Sequence, residues 1–222
     1  RNADWNTSVA RGAAAFDWYR GSSRLEASVG ASRNNGIGQT NVGRNQLANW
    51  QYRHAQLKYT SPHWFGQVYT TQSRSGDTYQ LNAYSQNRLR YPTISDDSVK
   101  HLSDFPASGD LMAAEIQNNF NIPMVGTHFT YGGQFRRDVV SSDRQWLIDR
   151  QTGEDIKVNQ RGVYAQLEQQ VTPLFKLIGA GRYDKHDYYD AQWSPKAGLL
   201  FTPLPDQTFR FTFNRAFKSP TV

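Results

Sequence analysis

Cysteine is absent from the 222 residues, so no disulfide holds the chain together. A secreted domain of this length could have used such bridges, and a hydrogen-bonded barrel set in lipid is another source of stability. Long apolar runs are missing too. None approaches the roughly 18 residues of a membrane helix. With 37% hydrophobic residues and a mean hydropathy of −0.74, hydropathy alone describes a soluble protein. That excludes helical spans but not strands, because a transmembrane strand needs only alternate apolar residues and dilutes its own signal. Clustered basic charge is also lacking. The net charge is +6 and the pI about 9.5, yet the basic residues are spread thinly, which argues against a nucleic-acid partner. No signal peptide opens the chain, which starts at Arg1, and the expectation is a piece of a longer mature protein.

What is present is period-2 alternation along most of the chain, with helical periodicity nearly absent. Phe209, Phe211 and Phe213 alternate with Thr208, Arg210, Thr212 and Asn214. Ala197, Leu199 and Phe201 oppose Lys196, Gly198 and Thr202, and Phe175, Leu177, Gly179 and Tyr183 oppose Lys176, Ala180 and Arg182. Similar sets surround Val163, Phe129, Met112, Leu57 and Leu25, and two less regular ones run through Val9 and Trp64. The pattern predicts about ten strands of roughly 10–13 residues, enough for a tilted strand to cross a bilayer.

The connections alternate as well. Short turns fall at residues 20–22, 61–63, 121–126, 172–174 and 203–206. Longer polar segments lie between them at 34–51, 75–109 and 141–159, with one short exception at 188–191. Short turns on one side and long loops on the other are the habit of outer-membrane barrels. Arg24, Lys58, Arg136, Lys176, Arg182, Lys196 and Arg210 all share the polar parity of their strands. Facing a wet lumen they cost little, whereas facing lipid near the midplane each would cost about 2–4 kcal/mol. Aromatic residues make up 14% of the chain. Tyr59, Phe65, Phe120, Phe129, Phe175, Phe201 and Phe209 lie near the short turns, and Trp50, Tyr52, Tyr183 and Trp193 near the opposite ends, as interfacial girdles require. The plainer alternative is the half-buried sheet of a soluble sandwich or propeller.

Two stretches carry a resemblance. Arg182-Tyr183-Asp184-Lys185-His186-Asp187 leads into Trp193-Ser194-Pro195-Lys196-Ala197-Gly198-Leu199 and Phe201-Thr202-Pro203. Then come Phe209-Arg210-Phe211-Thr212-Phe213-Asn214-Arg215-Ala216-Phe217-Lys218-Ser219-Pro220-Thr221. In order and spacing these resemble the mid-to-late barrel of TonB-dependent outer-membrane receptors. Tyr131-Gly132-Gly133-Gln134-Phe135-Arg136-Arg137-Asp138 and Gly162-Val163-Tyr164-Ala165-Gln166 are similar to the same family. The resemblance covers roughly residues 110–222, and the first half shares only the pattern. It implies an all-β fold, an antiparallel transmembrane β-barrel of which this chain supplies about ten of 22 strands. Residues 1–222 are then part of one barrel domain, with the plug domain and remaining strands outside this chain. The implied function is uptake of a scarce nutrient, a ferric siderophore, cobalamin or glycan, across the bacterial outer membrane. The implied partners are outer-membrane lipid and lipopolysaccharide, the TonB complex reached through the plug, and a small-molecule or oligosaccharide ligand.

Candidate ligand contacts concentrate in segment 75–109, where Tyr79, Tyr84, Arg88, Arg90, Tyr91 and His101 mix stacking and cationic groups suited to an anionic or aromatic ligand. The next long segment adds Arg144, Trp146 and Asp149. The plainer reading is that outer loops are simply polar, or that their cations meet lipopolysaccharide phosphates. Within 75–109, Ser95-Asp96-Asp97-Ser98 reads as the start of a short helix running through Phe105. Asp184, His186, Asp187 and Asp190 bring enough donors together to suggest a divalent cation, but a solvated strand end explains them as well. Gly36, Gly38 and Gly43 read as a flexible loop, since no strand–loop–helix unit surrounds them. No arrangement of Ser, His and acid suggests a catalytic site, and neither an enzyme activity nor a cofactor is expected. Two other classes share the pattern: a passive porin or structural barrel, and a soluble all-β binding module that would need no detergent.

Overall fold

The chain, seen in a computed structural model, is described over residues 3–40 and 43–217. Its elements in chain order are β1 (Ser8–Arg20), β2 (Ser23–Thr40), β3 (Gly43–Thr60), β4 (Trp64–Arg74), the two-residue β5 (Tyr79–Gln80), α1 (Leu81–Arg90), α2 (Asp96–His101), β6 (Ser108–Ile122), β7 (Thr127–Ser141), β8 (Ile156–Thr172), β9 (Phe175–His186), β10 (Gln192–Leu204) and β11 (Gln207–Asn214). All ten expected strands are there. They form one antiparallel sheet in sequence order, β1-β2-β3-β4-β6-β7-β8-β9-β10-β11, with β5 added to β3. Among the described residues β1 pairs only with β2 and β11 only with β10, so the sheet keeps two open edges. Residues Lys218, Ser219, Pro220 and Thr221 of the final motif lie outside the described residues.

Register fixes the faces. Because the side-chain period is two, pairing Leu25 with Tyr59, Leu57 with Val68 and Ala114 with Phe135 puts every apolar series on one side of the sheet. On β9 the outward set Phe175, Leu177, Tyr183 and Lys185 is exposed, while Lys176, Ile178, Arg182, Asp184 and His186 between them are half-buried or buried. The apolar side stands open, and the polar side crowds against itself.

Three aromatic residues break the expected girdle. Phe65 pairs with Gln117, and Tyr52 with Ser32 and Ser73, so both belong to the inward set. Trp50 shares that set and donates from Nε1 to Ser73 Oγ at 3.1 Å. The cause at Phe65 is the 61–63 turn. Trp64 N donates to Ser61 Oγ at 3.0 Å, which delivers Trp64, not Phe65, to the lipid side. Trp50 and Tyr52 lie in the unbroken β2–β3 register and share the even parity of Gln56 and Lys58, which turns both inward.

The outer ends differ most from expectation. Segment 34–51 is not a loop, because β2 and β3 stay paired out to Thr40 and Gly43. Gly36 and Gly43 therefore lie in strands, not in a flexible loop. Their φ values of 147° and 126° show why glycine stands there: one allows the bulge and the other the return of the hairpin. Each of these 18-residue strands reaches about 60 Å, far more than the roughly 25 Å apolar band of a membrane barrel, so their outer halves extend past such a band. In segment 75–109, α2 starts as expected, with Ser95 Oγ accepting from Ser98 N. It ends at His101 rather than Phe105, because Ser103 and Phe105 pair with β5 and its flank: Gln80 N donates to Ser103 O, and Phe105 N to Thr78 O. Helix α1 has no side-chain cap and no strong apolar face, and so left no signature in the sequence.

Candidate functional site

Two regions can meet a solute: the inward wall and the superstructure above it. On the wall, Asp17, Arg24, Glu26 and Lys58 form an ion-pair chain from β1 to β3, with contacts of 2.8, 3.0 and 2.7 Å. A second chain starts at Gln56, which donates to Gln67 at 3.0 Å, and Gln67 donates to Glu115 at 3.1 Å. Glu115 and Gln117 then receive the Tyr164 hydroxyl, whose oxygen lies 3.1 and 2.9 Å from them. Arg182 lies over the Tyr164 ring and binds Asp184 through Nε at 2.7 Å, and Asp184 is only 1% exposed. Lys176 pairs with Glu168. Most charges of the wall are thus matched internally. That arrangement suits a wet passage, because buried charges stay cheap only when paired and hydrogen-bonded.

Tyr164 reaches across β7 only because position 132 is glycine. A Cβ on Gly132 would sit 2.6 Å from Tyr164 Cζ and Oη and 2.6 Å from the Ile116 carbonyl oxygen. Gly162 does the same for the Arg182–Asp184 pair, since a Cβ there would lie 2.5 Å from Asp184 Oδ1. Alternation already puts Tyr164 and Arg182 in the polar series of their strands, but not the reach of Tyr164 across β7. The signal for that reach was Gly132, opposite Tyr164 on the neighbouring strand, with Gly162 two residues before it on its own.

Above the wall, the β2–β3 hairpin and segment 75–107 are joined. Asn45 and Gln46 pair with Gln80 and Tyr79, and Asp77 N donates to Ala48 O at 2.9 Å. Tyr79 and Tyr84, 5% and 3% exposed, pack with Val99 as the core of this unit. They hold the loop together and leave almost no surface for a ligand. Arg88 is also engaged, donating to Ile94 O and Asp96 Oδ1. Arg90 lies over the ring of Tyr91, and both are exposed. His101 is exposed and contacts Asp104 at 2.7 Å. Arg144 forms a bidentate pair with Glu154 at 2.8 and 2.9 Å. Trp146 stacks on Phe105 with centroids 5.1 Å apart, bridging the two long segments. Ser142, fully buried, anchors the second segment by accepting from Leu147 N at 2.8 Å.

The hydrogen bond between Tyr84 and Asp96 is the electrostatic hinge of the 75–107 unit. It is the first cause holding the Asp96 carboxyl below its ordinary pKa, with Lys100 adding to it, and the same bond raises the Tyr84 hydroxyl. A depressed carboxylate stabilises the fold above the ordinary value near 4 and loses that contribution as pH falls through its own lower value. Cleavage by an acid-active protease within residues 81–101 should therefore rise below about pH 4. Asp96→Asn should remove that pH dependence. Equal cleavage of the parent at neutral and acid pH would count against the hinge.

The four candidate metal donors are dispersed. Asp184 is held by Arg182, while Asp187 accepts from Asn159 N and Nδ2. Among the described residues no group of three or more His, Cys, Asp and Glu side chains is placed to hold a metal ion.

A single antiparallel sheet in sequence order, apolar on one face and ion-paired on the other, with short turns at one end and folded loops at the other, defines the wall of a membrane β-barrel. The family model described as TonB dependent receptor-like, beta-barrel, matches residues 1–222, and the chain belongs to that family. No curated protein matches it in sequence. Among solved structures it is similar to the siderophore receptor PirA from Pseudomonas aeruginosa, at 13% identity and a TM-score of 0.70 over 97% of this chain and 34% of that one. It is similar also to a mutant of the ferric enterobactin receptor PfeA from Pseudomonas aeruginosa, at 13% identity and a TM-score of 0.66 over 97% and 34%. A third is the FrpB iron transporter from Neisseria meningitidis, at 14% identity and a TM-score of 0.65 over 96% and 36%. The chain spans about a third of the length of these relatives.

Proposed function

We propose that the protein carrying this chain is a receptor of the bacterial outer membrane that binds a ferric siderophore at its outer loops and admits it through the barrel. The observation that carries the reading is the two-faced sheet, lipid-ready outside and ion-paired inside, in a chain of the receptor family. The similar structures are siderophore and iron receptors, which favours an iron chelate over cobalamin or a glycan. The open edges of β1 and β11 cannot stand in lipid unpaired, so further strands close the barrel, with a plug inside it through which the TonB complex acts. Binding and transport need no chemistry on the solute, and no enzymatic role is assigned.

Exposed groups of the superstructure are the ligand contacts in this reading: Arg90 and Tyr91 on one segment, Arg144 and Trp146 on the other, with His101 at the rim. Cells with the complete receptor should take up radiolabelled iron chelated by a siderophore, and cells lacking it should not. Replacing Arg90, Tyr91, Arg144 and Trp146 together by Ala should weaken chelate binding at least about tenfold, as loss of a cationic–aromatic contact set does. Absence of chelate binding and uptake, combined with free leakage of small solutes through the reconstituted barrel, would replace the receptor with a porin.

A further inference from the structure

The inward series of β9 ends in a titratable ring. Arg182 and Asp184 precede His186 on that face, and the imidazole is 8% exposed where the strand gives way to the turn 187–191. Tyr188 N donates to its Nδ1 at 3.1 Å. The ring of Tyr189 lies flat against it, with centroids 4.1 Å apart and planes 13° from parallel. Phe217, beyond β11, meets Tyr189 edge-on at 6.1 Å. Two successive turn residues are therefore fastened to one imidazole, the first through its nitrogen and the second through its face. A ring nitrogen accepts only while it carries no proton, so the bond from Tyr188 requires the neutral ring with its hydrogen on Nε2.

The turn reaches further out. The Tyr188 hydroxyl hydrogen-bonds Asp149. Asp149 in turn organises the second long segment. Its carboxylate accepts from Gln151 N and Thr152 N at 2.8 and 3.2 Å, its N–H donates to Glu154 O, and its carbonyl receives Gly153 N. A few residues back, Trp146 stacks on Phe105 and Arg144 is held by Glu154. A continuous run of contacts thus joins a buried imidazole on the wall to the segment that carries two of the proposed ligand contacts. The charged groups around the ring are already engaged. On β9, Asp184 is committed to Arg182 through two bonds of 2.7 Å. On the turn, the Asp187 carboxylate accepts from Asn159 N and Nδ2 at 2.8 and 2.7 Å, and it lies close enough to feel a charge on His186. Strand β8 faces the ring with the neutral Gln160. A proton on Nδ1 would set one N–H against another, so the Tyr188 bond breaks, while the attraction of Asp187 favours the charged ring once it forms.

We propose that His186 is a pH-sensitive latch for the outer end of the wall. The neutral ring holds the turn 187–191 closed and, through Tyr188 and Asp149, keeps segment 142–155 in place, and protonation releases both. The inference rests on the receptor reading above, to which it adds control of Arg144 and Trp146 by the acidity of the surrounding medium.

The test is hydrogen exchange, read by mass spectrometry, on the complete receptor in detergent at about pH 7.5 and about pH 5, a span over which an imidazole changes charge. After correction for the intrinsic pH dependence of exchange, peptides covering 187–191 and 142–155 should lose about tenfold in protection at the acid value, the scale of one hydrogen bond to a group that becomes charged. Peptides from β2 should not. His186→Asn keeps an acceptor near the place of Nδ1 and takes up no proton, whereas His186→Phe keeps the stack on Tyr189 but accepts nothing. Both should abolish the pH dependence, the first with the turn protected and the second with it open at either value. Tyr188→Phe should confine the acid response to 187–191, with 142–155 no longer responding to pH. The heat-modifiable band on gels reports that each variant is folded. Equal protection of the parent at the two values would overturn the proposal, as would an acid response that survives in both His186 variants. Cells that take up no chelated iron would instead sink the receptor reading, and the exchange result, which needs no ligand, would stand apart from it.

Discussion

Leu177→Arg is expected to lower the stability of the folded barrel by about 2–4 kcal/mol, whereas Gln166→Arg should be nearly neutral. The two positions lie on the adjacent strands β8 and β9, but Leu177 belongs to the outward series between Phe175 and Gly179. One outward step inside the Phe175 girdle, between interface and midplane, a guanidinium there has neither water nor a partner, so the cost falls toward the lower end of that range. Gln166 faces inward, where it already donates to Glu168 at 2.9 Å, so an arginine gains an anionic neighbour. Urea titration of the complete receptor in bilayers measures the difference. Similar losses at both positions would mean that the two faces are wrongly assigned, and with them the membrane reading.

Gly132→Val is expected to be the most damaging small substitution on the inner wall, costing about 3 kcal/mol and cutting the yield of heat-modifiable barrel. The Cβ alone would stand 2.6 Å from both the Tyr164 ring and the Ile116 carbonyl oxygen. The ring can swing away at the expense of its bonds to Glu115 and Gln117, but the carbonyl is part of the β6–β7 ladder and cannot. Hence Gly132→Ala combined with Tyr164→Ala should recover only part of the loss. Gly179→Ala is the contrast: nothing lies within 4 Å of its Cβ, and stability should hold or rise slightly. Full recovery in the Gly132/Tyr164 double variant would show that the ladder yields and that the ring was the whole obstacle.

How much of this could be read beforehand follows from what each signal depends on. Lipid on one face and water on the other imprint a period of two, so the alternating residues of β9 and β11 were legible, and the inward parity of Arg24, Lys58 and Arg182 came with it. The Asn34–Gly43 stretch was not legible, because outside the membrane both faces of a hairpin meet water and the alternation vanishes. Phe65 misled because a girdle residue and its inward neighbour differ by one position, and only the turn bond from Trp64 N settles the frame. The candidate loop residues were found by chemistry alone. Chemistry does not separate Tyr91, which is exposed, from Tyr84, which is core, because that depends on how α1, α2 and β5 pack.

Every long strand pairs with the next long strand in the sequence, so among the described residues the ladder contains no distant pairing between β1 and β11. Such a sheet grows like a zipper. Each completed hairpin offers an unsatisfied rim that templates its successor, and at most steps the loop entropy to be overcome is that of a short turn, residues 142–155 between β7 and β8 being longer. The slowest tooth is β4 to β6, where residues 75–107 must be stowed first. Since that stretch clips onto the outer half of β3 through β5, it is tethered before β6 arrives, and the chain meets its longest detour with one end already fastened.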